Sequence, residues 1–268
     1  MKGWTCGLAL GVVLGIAAPA AAQVNTEKLR SWERPGLGGA VDLALTYRSG
    51  NVDLIQVVSA AQVRWARLEA TTSTATKGRL LDLVYFVGSQ DLGIQPSGRF
   101  KNAGFAHLRW TRMWHPRLGS ELFVQAQYNE FILLKQRYVG GLGARLEVPL
   151  GKVGELALGT AYMLEFEDNA VPEDGPDQRQ VLAHRWSSYL SLKAYLSDPA
   201  VSVVDTVYVQ PRLTDFADYR VLNEAELSVA VTGALALVAG VYLRYDSQPV
   251  TGVRKLDVTM ENKLRLTF

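Results

Sequence analysis

Hydrophobic and polar residues alternate along most of this chain. From Leu256 to Phe268, Leu256, Val258, Met260, Leu264, Leu266 and Phe268 share one parity, interrupted only by Asn262. Lys255, Asp257, Thr259, Glu261, Lys263, Arg265 and Thr267 share the other. A strand sends successive side chains to opposite faces, so this segment has one oily face and one charged face. The same period recurs where Leu43, Leu45 and Tyr47 oppose Asp42, Ala44, Thr46 and Arg48, and where Leu122, Val124 and Tyr128 oppose Glu121, Gln125 and Gln127. It returns around Leu156 to Glu167 and Arg185 to Leu196. No comparable segment carries a helical period, apart from a short polar lead-in at Asn25 to Arg34. Leu227 to Leu243 is free of charge but shorter than the ~20 residues of a spanning helix, and Thr232-Gly233 interrupts it. It reads as a hairpin.

Turn residues divide the chain into about twelve strands, near 37–48, 52–66, 78–88, 102–114, 120–131, 136–149, 154–167, 181–196, 200–211, 218–231, 234–246 and 254–268. The stretch Arg67 to Lys77 fits either a strand extension or a turn. The predicted fold is all-β, a transmembrane antiparallel β-barrel, with a soluble periplasmic sandwich as the alternative. An even strand number puts both termini on the periplasmic side, and 49–51, 89–101, 132–135, 168–180, 212–217 and 247–253 become the outer loops. Tyr47, Tyr85, Tyr128, Tyr138, Phe166, Trp186 and Tyr245 then lie on oily faces near the outer strand ends. Trp65, Trp110, Trp114 and Phe268 lie near the inner ends, so two interfacial aromatic rings are expected.

The beginning of the chain changes the compartment. Lys2, the apolar run Leu8 to Ala18 and Ala20-Ala21-Ala22 read as a signal peptide over 1–22, followed by a periplasmic lead-in, 23–36, and a barrel, 37–268. Cys6, the only cysteine, would leave with the signal, so no disulfide or thiolate metal site is expected. Loss of Lys2 changes the tally from 28 − 26 = +2 to 27 − 26 = +1, which gives no electrostatic case for nucleic acid. A mean hydropathy near zero suits a barrel, whose strands are apolar on one face only.

The inward parity collects roughly a dozen charges of each sign, with Asp82 and Lys255 among them. Its central members are Arg137, Arg145, Glu165, Arg185, Arg220, Glu224, Arg244, Asp257 and Glu261. Balanced signs favour cross-strand ion pairs bracing a narrow lumen, because a lone buried charge costs several kcal/mol. The alternative is a solute path along a basic ladder of Arg137, Arg145, Arg185, Arg220 and Arg244.

Catalytic patterns are sparse. His107 has inward parity, His115 precedes Pro116 in a turn, and His184 begins a strand. His107 is the one candidate for a lipid-modifying enzyme, but no Gly-x-Ser-x-Gly elbow accompanies it. Gly140-Gly141-Leu142-Gly143 continues into strand-like residues, so strand bending explains it better than a dinucleotide fold. Glu167, Asp168, Glu173, Asp174 and Asp177 read as a solvated acidic loop without Ca²⁺-loop spacing. No enzyme activity, cofactor or metal is expected.

Asp218 to Glu224, Leu243 to Pro249 and Lys255 to Asp257 resemble the family called domain of unknown function 481, YdiY-like and described as salt-induced outer-membrane proteins. Ser49-Gly50-Asn51 and Gly159 to Glu165 add to that resemblance, which spans about 37–268, although Arg67 to Lys77 exceeds the expected turn. The resemblance implies an outer-membrane barrel and carries no established activity. The reading from sequence is a non-catalytic envelope or stress-related component with a mostly occluded lumen, or alternatively a small-solute porin. Expected partners are outer-membrane lipids and lipopolysaccharide, the barrel assembly machinery reading Phe268 as its signal, and in the porin reading a small solute.

Overall fold

The computed structural model describes residues 35–50, 53–69, 78–197 and 200–268. The expected signal peptide and nearly all of the lead-in fall outside these residues, as does most of Arg67 to Lys77. The described chain forms β1 (Gly36–Arg48), β2 (Leu54–Leu68), β3 (Leu80–Gln95), β4 (Gly98–Met113), β5 (Leu118–Asn129), β6 (Leu134–Pro149), β7 (Gly154–Asn169), β8 (Gln180–Ser197), β9 (Val201–Arg212), β10 (Asp215–Ala230), β11 (Leu235–Asp246) and β12 (Leu256–Thr267). Each strand pairs antiparallel with its neighbours in sequence, and β12 pairs with β1 to close the barrel. Closure leaves no free edge, so every strand satisfies its backbone within the sheet.

Alternation sorts the side chains. Outward residues such as Leu43, Leu122, Leu164, Leu190, Val241 and Met260 are exposed and apolar. Inward residues such as Asp42, Glu121, Arg145, Glu165, Arg185 and Glu226 are buried and polar. This inverts a soluble protein, whose apolar residues are the buried ones. We call the rim where β1 begins the terminal rim and the opposite one the distal rim.

Two expectations fail on β3 and β4. The stretch 89–101 was expected as an outer loop, yet β3 runs on to Gln95 and β4 starts at Gly98, leaving only Pro96 and Ser97 between them. Gly98, at φ +124, supplies the backbone that this tight turn needs. The parity of β3 is also opposite to expectation. Tyr85 is buried in the lumen and not on the oily face, and Asp82 points outward, in register with outward Arg67 and Arg112. Lys255 is likewise not inward; it is exposed just before β12 begins.

The closing seam is short. β1 and β12 pair from Ala40↔Thr267 to Leu43↔Leu264, whereas β1 and β2 pair along all of β1. Gly39 and Phe268 add two reciprocal backbone bonds, each 3.0 Å. Phe268 itself is exposed at the terminal rim, where its aromatic ring was expected.

Candidate functional site

Among the described residues, three charge clusters stand out in the lumen, each joining strands that are not all adjacent in the sheet. The most distal centres on Glu165 of β7, fully shielded from solvent. It forms an ion pair with Arg137 of β6. Arg185 of β8 donates through Nε to its Oε1 at 2.9 Å, and Arg220 of β10 donates through Nη1 to both of its oxygens at 2.9 Å. Arg220 also reaches Glu167 at 2.9 Å and Asp246 at 2.8 Å, and Arg185 reaches Asp218 at 3.0 Å. Arg244 stands at the margin, 3.9 Å from Asp246 and 4.0 Å from Asp257. Three guanidiniums on one carboxylate would repel one another, and Glu167, Asp218 and Asp246 supply the compensating charge.

The middle cluster joins β4, β5, β6 and β8. Arg145 donates through Nε to Glu147 at 2.9 Å and through Nη1 to the Tyr189 hydroxyl at 2.6 Å. Tyr189 in turn donates to Glu121 at 2.8 Å, which also pairs with Arg109 at 3.5 Å. The Arg109 guanidinium lies 5.3 Å from the Phe123 ring centre, within cation–π range. Glycines make room for these rings. A Cβ on Gly159 would sit 2.0 Å from the Tyr189 ring, and one on Gly141 would sit 2.2 Å from that of Phe123. Gly141 of β6 thus clears space for the Phe123 ring of the adjacent strand, a role beyond the bending read from the sequence.

The third cluster spans the closing seam. Arg265 of β12 grips Asp42 of β1 with two bonds, 2.8 and 2.7 Å, and reaches Glu226 of β10 at 3.0 Å. Lys263 pairs with Glu226 at 2.9 Å and approaches Glu261 at 3.9 Å. A bidentate arginine adds geometric specificity to the attraction, which suits a join with few backbone bonds.

Of the sequence-derived residues, the structure brings Arg137, Glu165, Arg185 and Arg220 together, with Arg244 and Asp257 beside them. Arg145 belongs to the middle cluster, Glu261 to the seam, and Glu224 is buried on the lumen side of β10. Sequence reasoning missed Asp218, Arg212, Asp91 and Lys101. Lys101 is fully buried and lies 3.6 Å from Asp91, which accepts a 2.9 Å bond from Gln56. Both residues of that pair sat in the segment assigned to a loop. His107 faces the lumen as expected, 3.2 Å from Gln125 through Nδ1 and stacked against Tyr85, Phe105 and Phe123.

Above the distal cluster opens a vestibule of about 290 Å³. Arg185, Arg212, Arg220 and Arg244 line it together with Glu167, Asp218 and Asp246. The segments 170–179 and 247–255 lean over its mouth, tied where Thr251 donates its backbone N–H to Asp177 at 3.0 Å. The acidic loop is thus held by protein contacts, including Arg179 to Glu173 at 2.7 Å.

Residues 41–268 match the family described as "Protein of unknown function, DUF481". No curated protein matches the chain. Among solved structures, the NanC porin is similar at 12% identity, with 87% of this chain and 98% of that one covered and a TM-score of 0.42. The KdgM porin is similar at 9% identity, with 86% and 99% covered and a TM-score of 0.42. The translocator domain of the autotransporter NalP from Neisseria meningitidis is similar at 14% identity, with 90% and 91% covered and a TM-score of 0.41.

Proposed function

The chain belongs to the DUF481 family, and we propose that it is an integral outer-membrane barrel with an occluded lumen, serving the envelope as a non-catalytic component. The outward apolar surface and closed backbone support membrane insertion, since a spanning sheet must leave no edge in lipid. The terminal rim then faces the periplasm and the distal rim the cell exterior.

One observation carries the occluded reading. Glu165 of β7, Arg145 of β6 and Lys101 of β4 project into the lumen, and none is more than 1% exposed. A conducting pore lined by these groups would leave them wet, because selectivity works through charges that the passing solute can reach. Here each faces a buried partner of opposite charge, Arg185, Glu147 and Asp91 respectively. Planar-bilayer recording of the refolded protein tests the reading: silence is expected, and stable single-channel steps overturn it. The vestibule favours a second reading, small-solute entry, because Arg244 is paired only at 3.9 and 4.0 Å and lines the cavity. Steps abolished by Arg244→Ala would favour that porin reading.

A further inference from the structure

Outside the lumen, a further charge cluster lies where it cannot brace the interior. Near the terminal rim Arg67, Asp82 and Arg112 form one row across β2, β3 and β4, paired in register and on the outward face. Arg67 Nε and Arg112 Nη1 both donate to Asp82 Oδ2 at 2.7 Å, and Trp110 Nε1 donates to Oδ1 at 3.1 Å. Two guanidiniums share one carboxylate, leaving an excess of one positive charge. The Asp82 side chain is 7% exposed, whereas those of Arg67 and Arg112 are 51% and 26% exposed. The carboxylate is covered and the cations face out.

Tryptophans frame the row. Trp65 and Trp110 flank Val84 in the register row two residues nearer the barrel's middle, about 7 Å along the strands, and both are exposed. Trp114 lies against Arg112, 5.2 Å from guanidinium to ring centre, and donates its indole N–H to Ser120 on β5 at 3.0 Å. Indoles settle at the depth of the membrane interface, so the guanidiniums stand one step closer to water, where lipid phosphates lie. Their planar forks match phosphate oxygens. The distal end of the same sheet differs. There the Tyr128 hydroxyl lies within hydrogen-bond reach of Gln90 Oε1 and Asn102 Oδ1, and Arg99 is matched one-to-one by Glu130.

We propose that the Arg67–Asp82–Arg112 cluster binds the phosphodiester headgroup of an anionic phospholipid in the leaflet at the terminal rim. Arg67 and Arg112 hold the phosphate, Asp82 positions both guanidiniums, and the three tryptophans contact the glycerol and upper acyl chain. The inference rests on the membrane-barrel reading above.

Native mass spectrometry of the refolded full chain in neutral detergent tests it, with phosphatidylglycerol and phosphatidylcholine of identical acyl chains as probes. The wild type should retain phosphatidylglycerol several-fold better. Arg67→Gln with Arg112→Gln should cost about fivefold in that affinity for each arginine lost, while Arg99→Gln changes nothing. Equal retention of both lipids by the wild type, or an undiminished preference in the double variant, overturns the site. So does displacement of the lipid by inorganic phosphate, which would assign the arginines to a soluble anion. Heat-modifiable gel migration checks folding. If the double variant does not fold, Arg112→Lys keeps the charge and removes the fork, and it should weaken phosphatidylglycerol retention; full retention overturns the site. The membrane reading fails separately, if the chain stays in buffer without detergent and does not sediment with vesicles.

Discussion

Glu165 and Asp82 are built alike and placed oppositely. Each is a carboxylate gripped by more than one arginine from other strands, Glu165 by three inside the lumen and Asp82 by two on the outer face. Inside, every guanidinium on the carboxylate is itself buried and shared with a further acid, so the charges close on one another. Outside, Arg67 stays half exposed and one positive charge is left over. The same chemical motif therefore makes a brace where it is enclosed and a binding surface where it is open. Burial decides which, because removing solvent raises both the cost of an unmatched charge and the strength of a matched one.

The comparison breaks most readily at Glu165. Replacing it by Gln leaves Arg137, Arg185 and Arg220 without their common anion in a dry interior. A destabilisation of about 3–5 kcal/mol is expected, read from the urea midpoint of the refolded barrel. A loss below ~1 kcal/mol would mean that water or a rearranged partner reaches the cluster, and the brace would be wrong.

Gly159 sharpens the picture from the packing side. Valine there would drive its side chain into the Tyr189 ring, which is fixed by bonds to Arg145 and Glu121. Overpacking of this kind costs about 1–3 kcal/mol. Since Tyr189 carries the middle cluster, pairing Gly159→Val with Tyr189→Phe in a double-mutant cycle should give a clearly non-additive loss. Additive losses would show that the ring moves aside without disturbing its ion pairs.

Asp82→Asn supplies the outward counterpart. Its arginines keep access to solvent, so the loss should be about 1 kcal/mol or less by the same urea measurement. A loss equal to that of Glu165→Gln would erase the distinction between brace and surface.

These differences show where the sequence was readable. Alternation in β1, β5, β7 and β12 is a local property, and each of those strands carries its charges on the face expected of it. β3 misled because Leu80, Leu81, Leu83, Val84, Tyr85, Phe86 and Val87 are apolar on both parities, so nothing local fixes the inward face. A register shift between Arg67 and Leu68 adds to the ambiguity. The distal ends of β3 and β4 were hidden for another reason. They mix polar residues with Pro and Gly, and only Leu92 and Ile94 mark the outward face of β3 there, so the composition is that of a loop, yet the backbone ladder continues through them. The supply of lumen charge was legible, its partnerships were not. Arg220 meets Glu165 across 55 positions and Arg265 meets Asp42 across 223, distances set by closure and shear and not by neighbouring residues.

Glu130, at the open end of the scale, gives the smallest expected effect. It sits beyond β5 in the distal turn, where Asn102 donates to it at 2.9 Å and Arg99 at 3.3 Å. Those hydrogen bonds, first Asn102 and then Arg99, hold its carboxyl below the ordinary glutamate value of 4.5. A depressed folded value means that the ionised form is favoured in the barrel. Its contribution is present above the unfolded value and disappears as pH falls through the folded one. Wild type and Glu130→Gln should therefore differ slightly in urea midpoint at neutral pH and converge in acid, as pH falls through the lowered folded value. High salt should shrink the neutral-pH difference as well, since both partners are exposed to solvent. A difference that persists in acid and in salt would require Glu130 to be shielded as Glu165 is, and the ordering of these carboxylates by burial would fail at its exposed end.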